Sequence, residues 1–240
     1  MGRVSLALSA ALLAAAMTHA PAKSGELEMP ARLRAFLDSG KWDATPRSFR
    51  IIALSFIADG CAEQGARDAS ERDAALACID RCLELARRTR KARPSLKRPI
   101  GEGLWLSHYN LILGARDRLA PCAHPREHEA IARVLAASAI REPTHHVSSY
   151  AKSPYRWPAD QAATLASLAR FARAHGTDLA VESLRLWREA MKTRVDEKLG
   201  LPWSEATGRA KGAKLPRGCA LSWQTRFLAE LDRDLAERWW

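Results

Sequence analysis

Past its first 17 residues the sequence has no run approaching about 18 uninterrupted apolar residues, which excludes a conventional membrane-spanning helix further along. It has no stretch of β-branched alternation long enough to build a sheet, which leaves helices as the material of the fold. There is no CxxC pair, no zinc-like spacing of cysteine and histidine, no glycine-rich phosphate loop, no Ser-His-Asp order and no nucleotide fingerprint. Structural zinc modules, P-loop enzymes and hydrolases of the triad type are thereby set aside, and no cofactor or metal is expected.

What is present begins with an address. Arg3 supplies a short positive region, Val4 to Met17 is apolar, and Thr18-His19-Ala20 offers a small residue before a cleavage point. Residues 1–20 therefore read as a secretory signal, with an uncleaved N-terminal anchor as the alternative. Export to the periplasm or medium and a soluble mature chain follow as expectations. About 220 residues remain, enough for one helical domain with a sizeable core, residues 21–240. The formal charge is +11, or +10 once Arg3 is removed (11 − 1). Export argues against nucleic acid as a partner and points to lipid headgroups, anionic glycans or an acidic small molecule. A compositional bias toward arginine and alanine is the favoured account of the charge. Five cysteines, Cys61, Cys78, Cys82, Cys122 and Cys219, make disulfides permissible after export and leave at least one thiol over.

Helical spacing recurs along the whole chain. Glu26 to Gly40 predicts a short helix and Ser48 to Gln64 a longer one, with Phe49, Ile52, Phe56 and Ile57 forming its stripe. Asp68 to Arg90 repeats Ala75, Cys78, Ile79, Cys82, Leu83 and Ala86 at threes and fours, and a basic, proline-containing linker follows it. Leu104 to Leu119 is apolar nearly all round and predicts an inner helix, in which His108 and Asn110 need polar partners or line a pocket floor. Pro125 opens the next helix. His124 and His128 have the spacing of a metal pair, but Pro125 pushes His124 out of helical geometry. Further helices are expected from Pro158, from a cap at Thr177, and from Leu221 to Trp240.

Two connections stand out. Residues 142–158, EPTHHVSSYAKSPYRWP, gather His145, His146, Tyr150, Tyr155 and Trp157 into a long irregular segment, too rich in aromatics to be disordered. Residues 199–223 hold four of the thirteen glycines and two prolines, together with Trp203, Glu205, Arg217 and Cys219. Punctuation of this kind between helices is where binding and catalysis concentrate. At most a tiny β-hairpin is expected, near residues 200–206.

The order GEGLWLSHYNLILG at 101–114, YRWPADQAATLASLARF at 155–171, VDEKLGLPWSEATG at 195–208 and LPRGCALSWQTRFLAELD at 215–232 resembles the (α/α) toroid proteins related to linalool dehydratase/isomerase. The shared features are a "WP-x-D" turn opening a helix, a "D-x-x-x-G-L" turn, and a "P-R-G-C/S-x-L-S" turn into the next helix. They cover roughly the second half of the chain. The resemblance implies antiparallel helical hairpins closing a partial or complete toroid, with inner helices starting at one rim beneath loops that enclose a funnel. A six-hairpin toroid continues well past this point, so the domain is expected to be incomplete at Trp240.

On that analogy Asp160, at the start of an inner helix, is the first candidate for a general acid or base, with a helix-dipole role as the structural alternative. His145, His146 or Tyr155 would supply the second proton-transfer group. Ligand contacts would come from His108, Asn110, Tyr150, Trp157, Trp203, Glu205, Arg217 and Cys219. Glu205 with Asp196 is a further carboxylate pair, although Asp196 suits a turn better. Two functions are compatible with this set. One is a lyase or isomerase working by acid–base chemistry on a small or glycan-like substrate. The other is a non-catalytic envelope module that binds glycan or protein.

Overall fold

A computed structural model describes residues 29–90, 95–96, 101–121 and 123–240. Residues 1–20, expected from the sequence to be a secretory signal, and Cys122 lie outside them. The described chain is all-α: α1 (Met29–Asp38), α2 (Arg50–Arg67), α3 (Arg72–Arg88), α4 (Gly103–Leu119), α5 (Pro125–Arg141), α6 (Pro158–His175), α7 (Val181–Met191), α8 (Gly218–Leu228) and α9 (Arg233–Trp239). Strand pairing among these residues amounts to one isolated bridge, Val195 with Pro202. The tiny hairpin expected near 200–206 is limited to that bridge, with Gly200, at φ of 65°, in its turn and Trp203 N donating to Arg194 O beyond it. Among the described residues no helix is long and apolar enough to cross a membrane.

Helices alternate between two layers. The even-numbered ones are neighbours in sequence order, α2 against α4, α4 against α6 and α6 against α8. The series closes through side chains: Phe56 of α2 stacks on Phe227 of α8 at 5.9 Å, and Arg226 of α8 reaches Asp59 of α2 at 3.2 Å. The odd-numbered helices pack outside, α1 on α3 and α5 on α7. As its composition predicts, α4 is buried on nearly every side, so its polar groups must pair within the protein. Ser107 meets Thr164 of α6 at 2.7 Å, Asn110 donates to Ser167 of α6 at 3.2 Å, and His108 Nδ1 meets the Ser55 hydroxyl of α2 at 2.7 Å.

Three local expectations change. Thr177 does not cap α7, which starts four residues later after a turn that Asp178 closes by accepting from Val181 N. The helix expected over Leu221–Trp240 is two helices. It breaks at residues 229–232, and Asp232 caps the second piece by accepting from Leu235 N at 3.0 Å. That break turns Trp239 inward onto Trp187, at 6.3 Å between rings, and leaves Trp240 alone exposed. The cysteines on α2 and α3 are buried free thiols where disulfides were permissible, and Cys219 is free and exposed.

Candidate functional site

The N-termini of α4, α6 and α8 are joined by the two long connections, and the two connections meet. Arg156 N donates to Glu205 Oε1 at 2.8 Å, and Ala206 N donates to Arg156 O at 2.7 Å. Glu205 is fully buried and also accepts from Thr207 N, Thr207 Oγ1 and Arg209 N. Burial alone pushes its carboxyl up, but these donors outweigh it and hold the group below the usual glutamate range. Glu205 is therefore the staple of the 199–217 loop. Asp196 is likewise engaged in a turn, accepting from Lys198 N and Leu199 N. Replacing Glu205 with glutamine puts an amide donor among backbone donors. We expect a loss of about 1–2 kcal/mol and faster proteolysis within residues 205–215, read by urea denaturation and timed digestion.

Across the rim, residues 146–149 run as a strap between α4 and α6. Ser148 O and Ser149 O accept from Gly103 N and Leu104 N, which satisfies the first donors of α4 without a capping side chain. Val147 N donates to Gln161 Oε1 at 2.9 Å, and the Ser149 hydroxyl donates to Asp160 Oδ2. Two non-glycine residues of this connection hold left-handed backbone, His145 at φ 56° and Lys152 at φ 60°. Such strain persists only where surrounding contacts over-determine the conformation.

Two of the candidate histidines are buried and held neutral. His146 is fully buried with Nδ1 on Thr144 O at 2.6 Å, and burial drives its pKa down to about 3. His108 is held neutral in the same way, at about 3, by desolvation and then by the charge of Arg170. His145 Nδ1 meets Ala139 O at 3.2 Å. Asp160 is the group poised differently: desolvation raises its carboxyl to about 6 against the pull of Ser149. Tyr150 stands close enough for that carboxylate to raise its hydroxyl further, after burial has done so.

Around these groups lie aromatic and cationic side chains. Tyr155 packs on Trp157 at 5.9 Å, Arg217 sits over Trp157 at 5.9 Å, and Lys214 sits over Trp203 at 4.9 Å. Tyr150, Tyr155, Leu215 and Cys219 are exposed. The Leu215–Cys219 turn thus reaches the 142–158 segment through Arg217. Two surface cavities of about 310 Å³ lie elsewhere, one beside Gly65, Arg72 and Leu119, the other beside Leu37, Trp42, Arg50 and Thr89, and no residue singled out from the sequence lines either.

The structure also gathers three groups whose sequence spacing carries no motif. Asp117, His128 and His175 come from the end of α4, the start of α5 and the end of α6. Asp117 Oδ2 lies 2.9 Å from His128 Nδ1 and 3.2 Å from His175 Nε2. His124 keeps non-helical backbone as Pro125 requires, so His128 finds its neighbours on other helices. No protein-family model matches the chain, and no curated protein gives a significant match.

Proposed function

We propose that this chain is an exported, helical binding module whose ligand face is the rim at the N-termini of α4, α6 and α8, and that it takes a small or glycan-like anionic ligand. One observation carries the reading. The carboxylates of the two connections are taken up internally, Glu142 by Arg156, and Glu205 and Asp196 by backbone donors, whereas Lys152, Arg209, Lys211, Lys214 and Arg217 form no ion pair among the described residues. Surplus cations positioned on indole rings supply both charge and a stacking surface, which is what a carboxylated sugar needs. The test is titration of the full chain with oligogalacturonate, followed by tryptophan fluorescence. Saturable binding that weakens with salt and falls roughly tenfold in Lys214→Ala/Arg217→Ala supports the reading. Equal binding of neutral oligosaccharides by wild type and variant would sink it.

A second reading, acid–base catalysis, is favoured by Asp160 alone. A carboxyl near 6 beside Ser149 and Tyr150 can exchange a proton near neutrality. The same property has a stability signature. Its native pKa of about 6 lies above the unfolded 3.8, so the native state binds the extra proton and stability falls as pH rises from about 4 through 6. Asp160→Asn should therefore raise stability at pH 7 by roughly 2 kcal/mol, allowing for partial exposure, and change it little at pH 4. Thermal melts across that range check this, and a variant less stable at pH 7 would mean the carboxylate is satisfied by contacts beyond Ser149.

A further inference from the structure

We propose that Asp117, His128 and His175 form a binding site for a divalent first-row transition metal ion of the zinc type. The site is separate from the rim: Asp117 lies 14 residues along α4 from Gly103, or about 20 Å at 1.5 Å per residue. Two imidazole nitrogens and one carboxylate oxygen are the donor set such ions favour. All three donor atoms lie within 4.8 Å of one another. At metal–ligand bonds of about 2.0–2.2 Å, tetrahedral donors sit about 3.3–3.6 Å apart, so the 2.9 and 3.2 Å separations around Asp117 Oδ2 need to open by only a few tenths of an ångström. The ligands stand on three different helices, so rigid elements rather than a loop fix their spacing.

The surroundings leave the His128 ring free to choose its tautomer. His128 is 1 % exposed, yet its Nε2 has no hydrogen-bond partner among the described residues. No second bond therefore fixes the tautomer. The ring proton can reside on Nε2, which frees the Nδ1 lone pair toward the Asp117 side. Phe171 holds both rings, edge-on against His128 at 4.9 Å and stacked on His175 at 4.4 Å. His175, 18 % exposed, opens the group to solvent, where water would complete the coordination.

The full chain, stripped with chelator, should bind one equivalent of Zn²⁺ by calorimetry. With Co²⁺ it should show visible d–d bands lacking a thiolate charge-transfer feature. His175→Gln, at the open edge of the group, should weaken Zn²⁺ binding by roughly 100-fold while leaving the unliganded melting temperature near that of wild type. Asp117→Asn should do the same to affinity, and circular dichroism reports whether it folds. The assignment is overturned by an absence of saturable one-to-one binding, by binding that survives His175→Gln, or by a thiolate–cobalt band placing the ion on cysteine. In any of these outcomes the trio is a hydrogen-bonded cluster only.

Discussion

Replacing Arg170 with alanine should cost about 3–5 kcal/mol, the largest loss expected from any single side-chain truncation in this protein. Arg170 stands on α6 with its side chain 13 % exposed, and it holds two carboxylates at once. Its guanidinium contacts both oxygens of Asp59 on α2, with Nη2 at 3.0 Å from Oδ2. It also takes both oxygens of Glu230, just after α8, at 3.0 and 2.6 Å. One planar fork thus ties three inner helices whose residues are 111 and 60 positions apart in sequence. Truncation leaves two poorly exposed carboxylates with only the more exposed Arg226 on both and Arg173, 3.5 Å from Glu230, and an underpaired buried charge costs far more than the intact pair contributes. Arg170→Lys should lose an intermediate amount, because an ammonium cannot serve both carboxylates bidentately. The measurement is urea denaturation of both variants. Combining Arg170→Ala with Asp59→Asn should lose clearly less than the sum of the two single losses.

The same cluster sets how the fold responds to acid. Burial raises Glu230, but the hydrogen bond and charge of Arg170, followed by those of Arg226, reverse that and bring it to about 2. Its unfolded value is 4.5, so between these values the unfolded chain binds the proton and the native chain does not. The resulting stabilisation, on the order of 3 kcal/mol, is complete above about pH 4.5 and disappears as pH falls toward 2. In Arg170→Ala this acid dependence should flatten, which separates loss of the ion cluster from simple loss of packing.

None of that cluster is visible in the sequence. Asp59, Arg170 and Glu230 look like polar residues on amphipathic helices, and only the inner-layer packing of α2, α6 and α8 gives them a common interior. The helices themselves were legible, because period-3.6 stripes report a buried face regardless of what covers it. So was the inner position of α4, whose apolar residues run around the whole helix. Helix ends were less so: the break before Asp232 depends on Trp239 finding Trp187, a tertiary contact that overrides local propensity. At the rim, length and composition marked the two long connections as candidates, and their meeting was expected only on the toroid analogy. Asp196 sits in the turn its sequence suggests, but which other polar groups stay free was not legible, because Glu205 and His146 are taken up by backbone partners that sequence does not specify. Asp117, His128 and His175 went unnoticed for the same reason, since helix packing alone joins them.

Gly103→Ala should destabilise the fold by about 3 kcal/mol and loosen the rim together with it. A Cβ built on Gly103 would lie 2.5 Å from Val147 Cγ1 and 2.6 Å from Ser148 O. The valine methyl can turn aside, but the carbonyl belongs to the strap and accepts from Gly103 N itself at 2.8 Å. Relief therefore means moving residues 147–149 as a unit, which breaks the hydrogen bonds that satisfy the first turn of α4. Ser149 moves with the strap, and its hydroxyl is the donor that holds Asp160. A structural glycine on α4 is thus coupled to the titrating carboxyl on α6. Gly60→Ala, with open space around its Cβ in the middle of α2, is the matched control and should stabilise by roughly 0.5–1 kcal/mol. Denaturation midpoints of the two alanine variants should move in opposite directions. Gly103→Ala should also raise the pKa of Asp160 above about 6, since the group would lose its donor while staying buried. A carboxyl titration of wild type and variant by NMR checks that step, and an unchanged pKa would mean that the strap does not depend on Gly103.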